Sequence, residues 1–195
     1  AIEAGTQTVN IYYYLSAFLA ESSRFAAAGQ VARQGLEVFP QDASLHYQLA
    51  VIYERLDDRK QALLEMEQVL LVEPQNPDAL NFIAYHYAEL GENLDQALVQ
   101  ARMALEKKQT SYIYDTLGWI YYRMQRYDEA RDYLEKAVEL APADPLIQDH
   151  LGDVYAAQQR WEEAEKTYRK SLELDKTSTT VDAKLQLLIK DHSTR

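Results

Sequence analysis

Between residues 9 and 178 the apolar positions recur at helical spacing, and the whole pattern repeats every 34 residues. Position 7 of each period is a branched aliphatic: Leu15, Leu49, Ile83, Leu117 and Leu151. Position 8 is small (Ser16, Ala50, Ala84, Gly118, Gly152) and position 11 is bulky (Leu19, Tyr53, Tyr87, Tyr121, Tyr155). Residues spaced i, i+1 and i+4 in this way fall on one helical face. Alanine returns at position 20 as Ala28, Ala62, Ala130 and Ala164, with Ala97 one place late. Two small positions per period predict two helices whose backbones approach closely. Pro40, Pro74 and Pro142 mark where the second helix must stop.

The register gives five units, 9–42, 43–76, 77–110, 111–144 and 145–178. One helical pair cannot bury its apolar face alone, so the units must stack. Two units depart from the pattern. In the third, Gly91, Glu92, Asn93 and Leu94 lengthen the inner turn, and Glu106 to Gln109 close the unit one residue short and without proline. In the first, Ala32 and Gly35 stand where larger side chains are usual, which predicts a weak unit.

Residues 179–192 do not continue the alternation into a sixth unit. Thr180 is placed to N-cap a helix with Val181, Leu185, Leu188 and Ile189 in one apolar stripe. Such a helix would cap the last unit, and docking into a groove is the alternative use. At the other end, Ala1, Ile2, Glu3 and Ala4 match positions 27–30, so residues 1–8 read as the tail of a preceding unit.

Composition narrows the chemistry. The 195 residues are 47% hydrophobic and 26% charged, with no cysteine for disulfides or thiolate metal sites. No run is long enough to span a bilayer, and no targeting segment is visible. The net charge of −11, from 31 acidic and 20 basic residues, repels nucleic acid and anionic membrane and favours neutral or basic partners. His46, His86, His150 and His192 show no metalloprotease spacing. His150 with Asp149 and Asp153 is the best metal-like grouping, but it reads far better as a polar groove lining, and no metal site is expected. No glycine-rich phosphate loop or nucleophile triad is seen, so no cofactor and no enzymatic activity are expected.

The repeated small, aliphatic and aromatic positions resemble the tetratricopeptide repeat family over about 170 of the 195 residues. The resemblance implies an all-α solenoid of antiparallel helix pairs in a right-handed superhelix. It also implies that first-helix positions 2, 5, 9, 12 and 13 face the concave surface. Those positions supply Tyr13, Tyr47, Asn81, Tyr85, Tyr112, Asp115, Trp119, Tyr122, Arg123, Asp149 and Asp153 as candidate partner-binding residues. Tyrosine and tryptophan offer contact area at little rotamer cost, and carboxylates add orientation.

Family members that clamp the carboxy-terminal carboxylate of chaperones carry Lys at position 5 and Asn at position 9. Here Tyr13 and Ala17, then Tyr47 and Val51, stand at those places, so that clamp is not present. The stretches Tyr114 to Arg123 and His150 to Tyr155 are similar to tetratricopeptide-repeat lipoproteins of Gram-negative bacteria. Some of those are outer-membrane-tethered adaptors of a periplasmic protease. The resemblance therefore implies a periplasmic scaffold for a protein or peptide, such as a protease or secretion component. A cytoplasmic scaffold is the alternative in location. An assembly module that self-associates through its array ends is the alternative in function.

Overall fold

The computed structural model describes residues 2–192, and side chains over residues 9–190. Among the described residues there are eleven α-helices and no strand. They are α1 (Ile2–Glu21), α2 (Phe25–Val38), α3 (Ala43–Arg55), α4 (Arg59–Val72), α5 (Pro77–Leu90), α6 (Leu94–Lys107), α7 (Ser111–Arg123), α8 (Tyr127–Leu140), α9 (Pro145–Ala157), α10 (Trp161–Leu174) and α11 (Thr179–His192). From α3 on, every odd-numbered helix starts at position 1 of the 34-residue register. The chain divides into two compact units, Ala1–Ile83 and Ala84–Arg195, with the division inside α5.

Each helical pair is built by the same local devices. Asp42, Asp58 and Asp144 accept a backbone N–H at the start of α3, α4 and α9, and Asn76 does so for α5. Position 15 is left-handed in all five turns: Ser23, Asp57, Gly91, Gln125 and Gln159, with φ between 57° and 71°. The next N–H then reaches back to the carbonyl at position 11, as Arg126 does to Tyr121 and Arg160 to Tyr155, both at 2.9 Å. This is the Schellman closure of a helix C-terminus. The longer turn of the third unit takes a second left-handed residue, Asn93. The second helices end at Val38, Val72 and Leu140, two residues before Pro40, Pro74 and Pro142.

The small positions work as backbone spacers. Ala28, Ala62, Ala97, Ala130 and Ala164 are all fully buried. A Cβ on Gly118 would stand 2.5 Å from Leu134 Cγ, and one on Gly152 2.5 Å from Tyr168 Cε1, so only glycine lets α7 meet α8 and α9 meet α10 this closely. In the N-terminal unit Leu19, Ala28 and Ile52 form a buried cluster with Phe25 and Val31 packed on it. Ala32 and Gly35 stand where the first pair meets its neighbours closely. Both are buried, and a Cβ on Gly35 would sit 2.7 Å from Leu45 Cδ1. Their smallness is what lets α3 dock. Leu15 is the exception among the position-7 aliphatics, for it is exposed.

In the C-terminal unit Tyr121, Leu134, Leu151, Val154, Tyr155 and Tyr168 join Val181, Leu185 and Leu188 of α11 in one core. Helix α11 covers the last pair, as expected of a capping helix. It begins at Thr179, 34 residues after Pro145, and buries positions 3, 7 and 10, so it stands where the first helix of a next pair would. Its start is capped by Ser178, whose Oγ accepts from the Val181 N–H at 3.4 Å, rather than by Thr180. At the other end, α1 runs unbroken from Ile2 through the place where the turn of a preceding unit was expected. Ala1 and the side chains of residues 2–8 lie outside the described residues.

Candidate protein-interaction surface

In the N-terminal unit, α1 and α3 bring Tyr13 and Tyr47 together. With Ser44, Glu73, Asn76 and Asp78 they line an open cavity of about 180 Å³, a volume equal to about six waters at ~30 Å³ each. Tyr13 also meets Tyr14 edge-on, with ring centroids 5.6 Å apart. Asn81 is not part of this surface. It is buried, and its Oδ1 has no hydrogen-bond partner.

The C-terminal unit holds a tighter arrangement on α5, α7 and α9. The Trp119 indole stacks with two rings, Tyr122 at 4.8 Å and His150 at 4.2 Å, both within 13° of parallel. Its Nε1–H donates to Glu89 Oε1 at 2.7 Å, and Arg123 donates to the Glu89 carbonyl at 2.8 Å. His150 Nδ1 lies 2.8 Å from Asp115 Oδ1, and both side chains are buried. Burial alone would lower the His150 pKa. The Asp115 carboxylate overcomes it, helped by Asp149 and Asp153, and holds the imidazole above its ordinary value.

One unit further on, the same interaction recurs with a different cation. Lys184 of α11 donates to Asp149 at 2.9 Å and to Asp153 at 2.7 Å. Tyr168 donates to the other oxygen of Asp153, also at 2.7 Å. In both cases a carboxylate at position 5 meets position 6 of the next unit, 35 residues later. Burial raises the Asp149 pKa most, and Lys184 does not fully cancel it, so the carboxyl stays above its usual range. Burial pulls on Lys184 in the opposite sense, but Asp153 and Asp149 prevail and hold its ammonium above the ordinary lysine value. Two carboxylates thus share one ammonium in a partly dry place. Burial and then Asp153 also push up the phenol of Tyr122.

The predicted site residues therefore separate. Asp115 and Asp149 are buried, each bridging to position 6 of the next unit, and Asn81 is buried as well. Asp153 is committed to Lys184 and Tyr168. His150, Asp149 and Asp153 do not converge as metal ligands, since His150 faces Asp115 while the two aspartates face Lys184. Tyr85, Trp119, Tyr122 and Arg123 remain half-exposed, and Tyr112 is exposed with the Lys108 ammonium 5.4 Å from its ring centroid. Tyr168 and Lys184 are members that sequence reasoning missed, while His150 was singled out without its Asp115 partner. The acid at position 5 with a cation 35 residues on was the available signal.

Tetratricopeptide repeat profiles match residues 19–84, 78–143 and 116–179, which together take in most of the chain. The chain belongs to the tetratricopeptide repeat family. It is 28% identical over 136 residues to a TPR repeat-containing protein of Pseudomonas aeruginosa, covering 69% of this chain and 23% of that protein. It is 26% identical over 117 residues to the type IV pilus assembly protein PilF of the same organism, covering 59% of this chain and 46% of PilF. The chain thus spans less than half the length of either relative. A solved structure of PilF matches with a TM-score of 0.75 at 20% identity, over 98% of this chain and 88% of that one. A thermophilic repeat protein of Thermus thermophilus matches with a TM-score of 0.73 at 21% identity, over 93% and 99%. At these identities the structural likeness shows the fold. The tetratricopeptide repeat fold supports a protein–protein interaction scaffold, and members of the family are generally non-catalytic. No helix among the described residues is long and apolar enough to cross a membrane.

Proposed function

We propose that this chain is a non-catalytic scaffold that binds a peptide or protein segment on the half-exposed face of its first helices. The observation that carries this reading is the Tyr122–Trp119–His150 stack. Glu89 holds the indole by a hydrogen bond and Asp115 holds the imidazole. Rings held this firmly offer a partner aromatic area without an ordering cost at binding. Glu89, Asp115, Asp149 and Asp153 outnumber Arg123, Lys184 and a protonated His150, which leaves one negative charge beside the stack. With the net charge of −11, this favours a partner with an apolar anchor next to Lys or Arg. The relatives in Pseudomonas aeruginosa, one of them a pilus assembly protein, support a place in the Gram-negative envelope. An envelope protease or a secretion component is the class of partner this reading implies.

The test is binding to an array of immobilised peptides that vary an aromatic or aliphatic anchor and an adjacent charge. Peptides with Lys or Arg should be retained over their Glu counterparts. The double variant Tyr85→Ser with Tyr122→Ser should lose that retention about tenfold or more while keeping its helicity, as expected for central aromatic contacts. Unchanged retention in the double variant would place the partner elsewhere.

A further inference from the structure

Helices α8 and α10 frame an open cavity of about 640 Å³ whose floor is α9. The floor is apolar, with Leu151 and Tyr155 beneath and Val138 and Pro142 to one side. The Tyr155 ring is held in place. Its hydroxyl donates to Glu135 at 2.8 Å, and the Arg160 guanidinium lies 4.6 Å from its centroid.

One period earlier the same place is filled. Tyr121, the counterpart of Tyr155, has the Arg126 guanidinium 4.8 Å from its centroid and the Tyr133 ring stacked on it at 5.4 Å. Tyr114 lies against Tyr133 in turn, with centroids 6.3 Å apart. At the positions 34 residues on, Thr167 stands for Tyr133 and Gln148 for Tyr114, and both line the cavity. Arg160 repeats the cation, but among the described residues no ring stacks on Tyr155. The cavity is the space that an aromatic pair occupies in the preceding unit.

The charges change together with the rings. Glu129, Asp132, Glu135, Lys136 and Glu139 of α8 become Glu163, Lys166, Arg169, Lys170 and Glu173 of α10. Four carboxylates and one cation thus give way to two carboxylates and three cations along the cavity wall. Arg169 and Lys170 pair with Glu165 and Glu173, but these are exposed pairs of the kind that exchange at little cost.

We propose that this groove is a second docking site, for a protein segment that presents an aromatic side chain flanked by Asp or Glu. The ring seats on Tyr155 as Tyr133 seats on Tyr121, and the flanking carboxylates meet Lys166, Arg169 and Lys170. Stacking on a fixed ring sets the geometry, and the cationic wall of α10 selects acidic flanks. The site shares no residue with the Trp119 stack, and its charge preference is the opposite one.

The test uses immobilised peptides with one tyrosine between paired glutamates. The parent chain should retain them over counterparts in which the tyrosine is alanine or the glutamates are lysine. Thr167→Tyr supplies the ring from within and should lower retention about tenfold or more. Lys166→Asp with Arg169→Glu restores the charges of the preceding unit at exposed positions. It should lower retention to a similar degree, and it guards against Thr167→Tyr failing to fold. Tyr85→Ser with Tyr122→Ser should leave retention unchanged, which keeps this site distinct from the Trp119 face. Equal retention of the tyrosine and alanine peptides would overturn the proposal. So would no retention by the parent chain, retention that survives either groove variant in a folded chain, or its loss in the Tyr85 and Tyr122 variant. A parent chain that sediments as a dimer and becomes monomeric with Thr167→Tyr would also overturn it, by giving the groove to a second copy.

Discussion

Helices α1 and α11 present the same repeat positions with opposite outcomes. Val181, Leu185 and Leu188 of α11 stand at positions 3, 7 and 10 and are buried on α10, within a core that reaches back to Tyr121. Ile11, Leu15 and Phe18 of α1 stand at those positions too, and all three are exposed. The side chains are comparable in size and apolarity. The difference lies in what packs against each face: α11 rests on α10, and no described helix covers that face of α1. In a stacked array each interface is a nearest-neighbour term, so a residue's contribution depends on the adjoining pair more than on its own identity.

The sharpest way to break this comparison is to truncate the same position at both ends. Leu185→Ala should cost about 2–5 kcal/mol, the range for a buried leucine with a residual cavity. Leu15→Ala should stay within ~0.5 kcal/mol, as surface substitutions do. Urea denaturation of the two variants measures both, and equal losses would show that α1 is covered after all.

A second change separates packing from charge at α11. Lys184→Met keeps the stem but leaves Asp149 and Asp153 facing each other. Breaking a fully buried ion pair costs about 3–5 kcal/mol. Because Lys184 keeps 30% of its side-chain surface exposed, the loss should be nearer ~1–3 kcal/mol. It should shrink in acid, where Asp149 protonates early because burial holds its pKa up. A loss independent of pH would mean that Lys184 acts through its stem alone.

The pH dependence of the intact chain offers a finer probe. His150 has a folded pKa held above its ordinary value of 6.5 by Asp115 against the opposing effect of burial. A raised histidine pKa contributes stability that is complete below the unfolded pKa and is lost as pH rises through the folded one. Stability should therefore decline from about pH 6.5 upward on this account, and His150→Gln should flatten that slope.

The smallest effect concerns the turns. Gln125 and Gln159 are left-handed at position 15, where Gly91 stands in the third unit. Left-handed backbone costs an L-residue roughly 1–2 kcal/mol, and glycine gives back about 0.5–1 kcal/mol as chain entropy. Gln125→Gly should stabilise by up to about 1 kcal/mol, seen as a Tm rise of ~2–4 °C. Gly91→Ala should do the reverse, since its Cβ would stand 2.6 Å from the Arg123 guanidinium.

Much of the fold was legible because its determinants are local and repeated. Ala28, Gly118 and Gly152 announce close helix approach, and Pro40, Pro74 and Pro142 announce helix ends. The candidate surface was less legible. Asp115 and Asp149 share position 5 with Tyr13 and Tyr47, yet the aspartates are buried while the tyrosines line an open cavity. Position tells which way a side chain sets out, and the residue it meets on the next unit decides whether it reaches solvent. Lys184 shows the same limit, for nothing within α11 marks it as the counter-ion of an acidic pair on α9.

The period, the helices, the tight pairs and the family are written in the order of residues, because spacing and side-chain size act over one or two turns of chain. Tertiary structure alone decided which polar groups of the candidate face are already satisfied. It also decided that α11 takes the place of a new first helix and that the stripe on α1 is left bare. Those outcomes depend on neighbours about 35 residues away, where the cost of an unpaired charge or an uncovered apolar face is set by what packs against it.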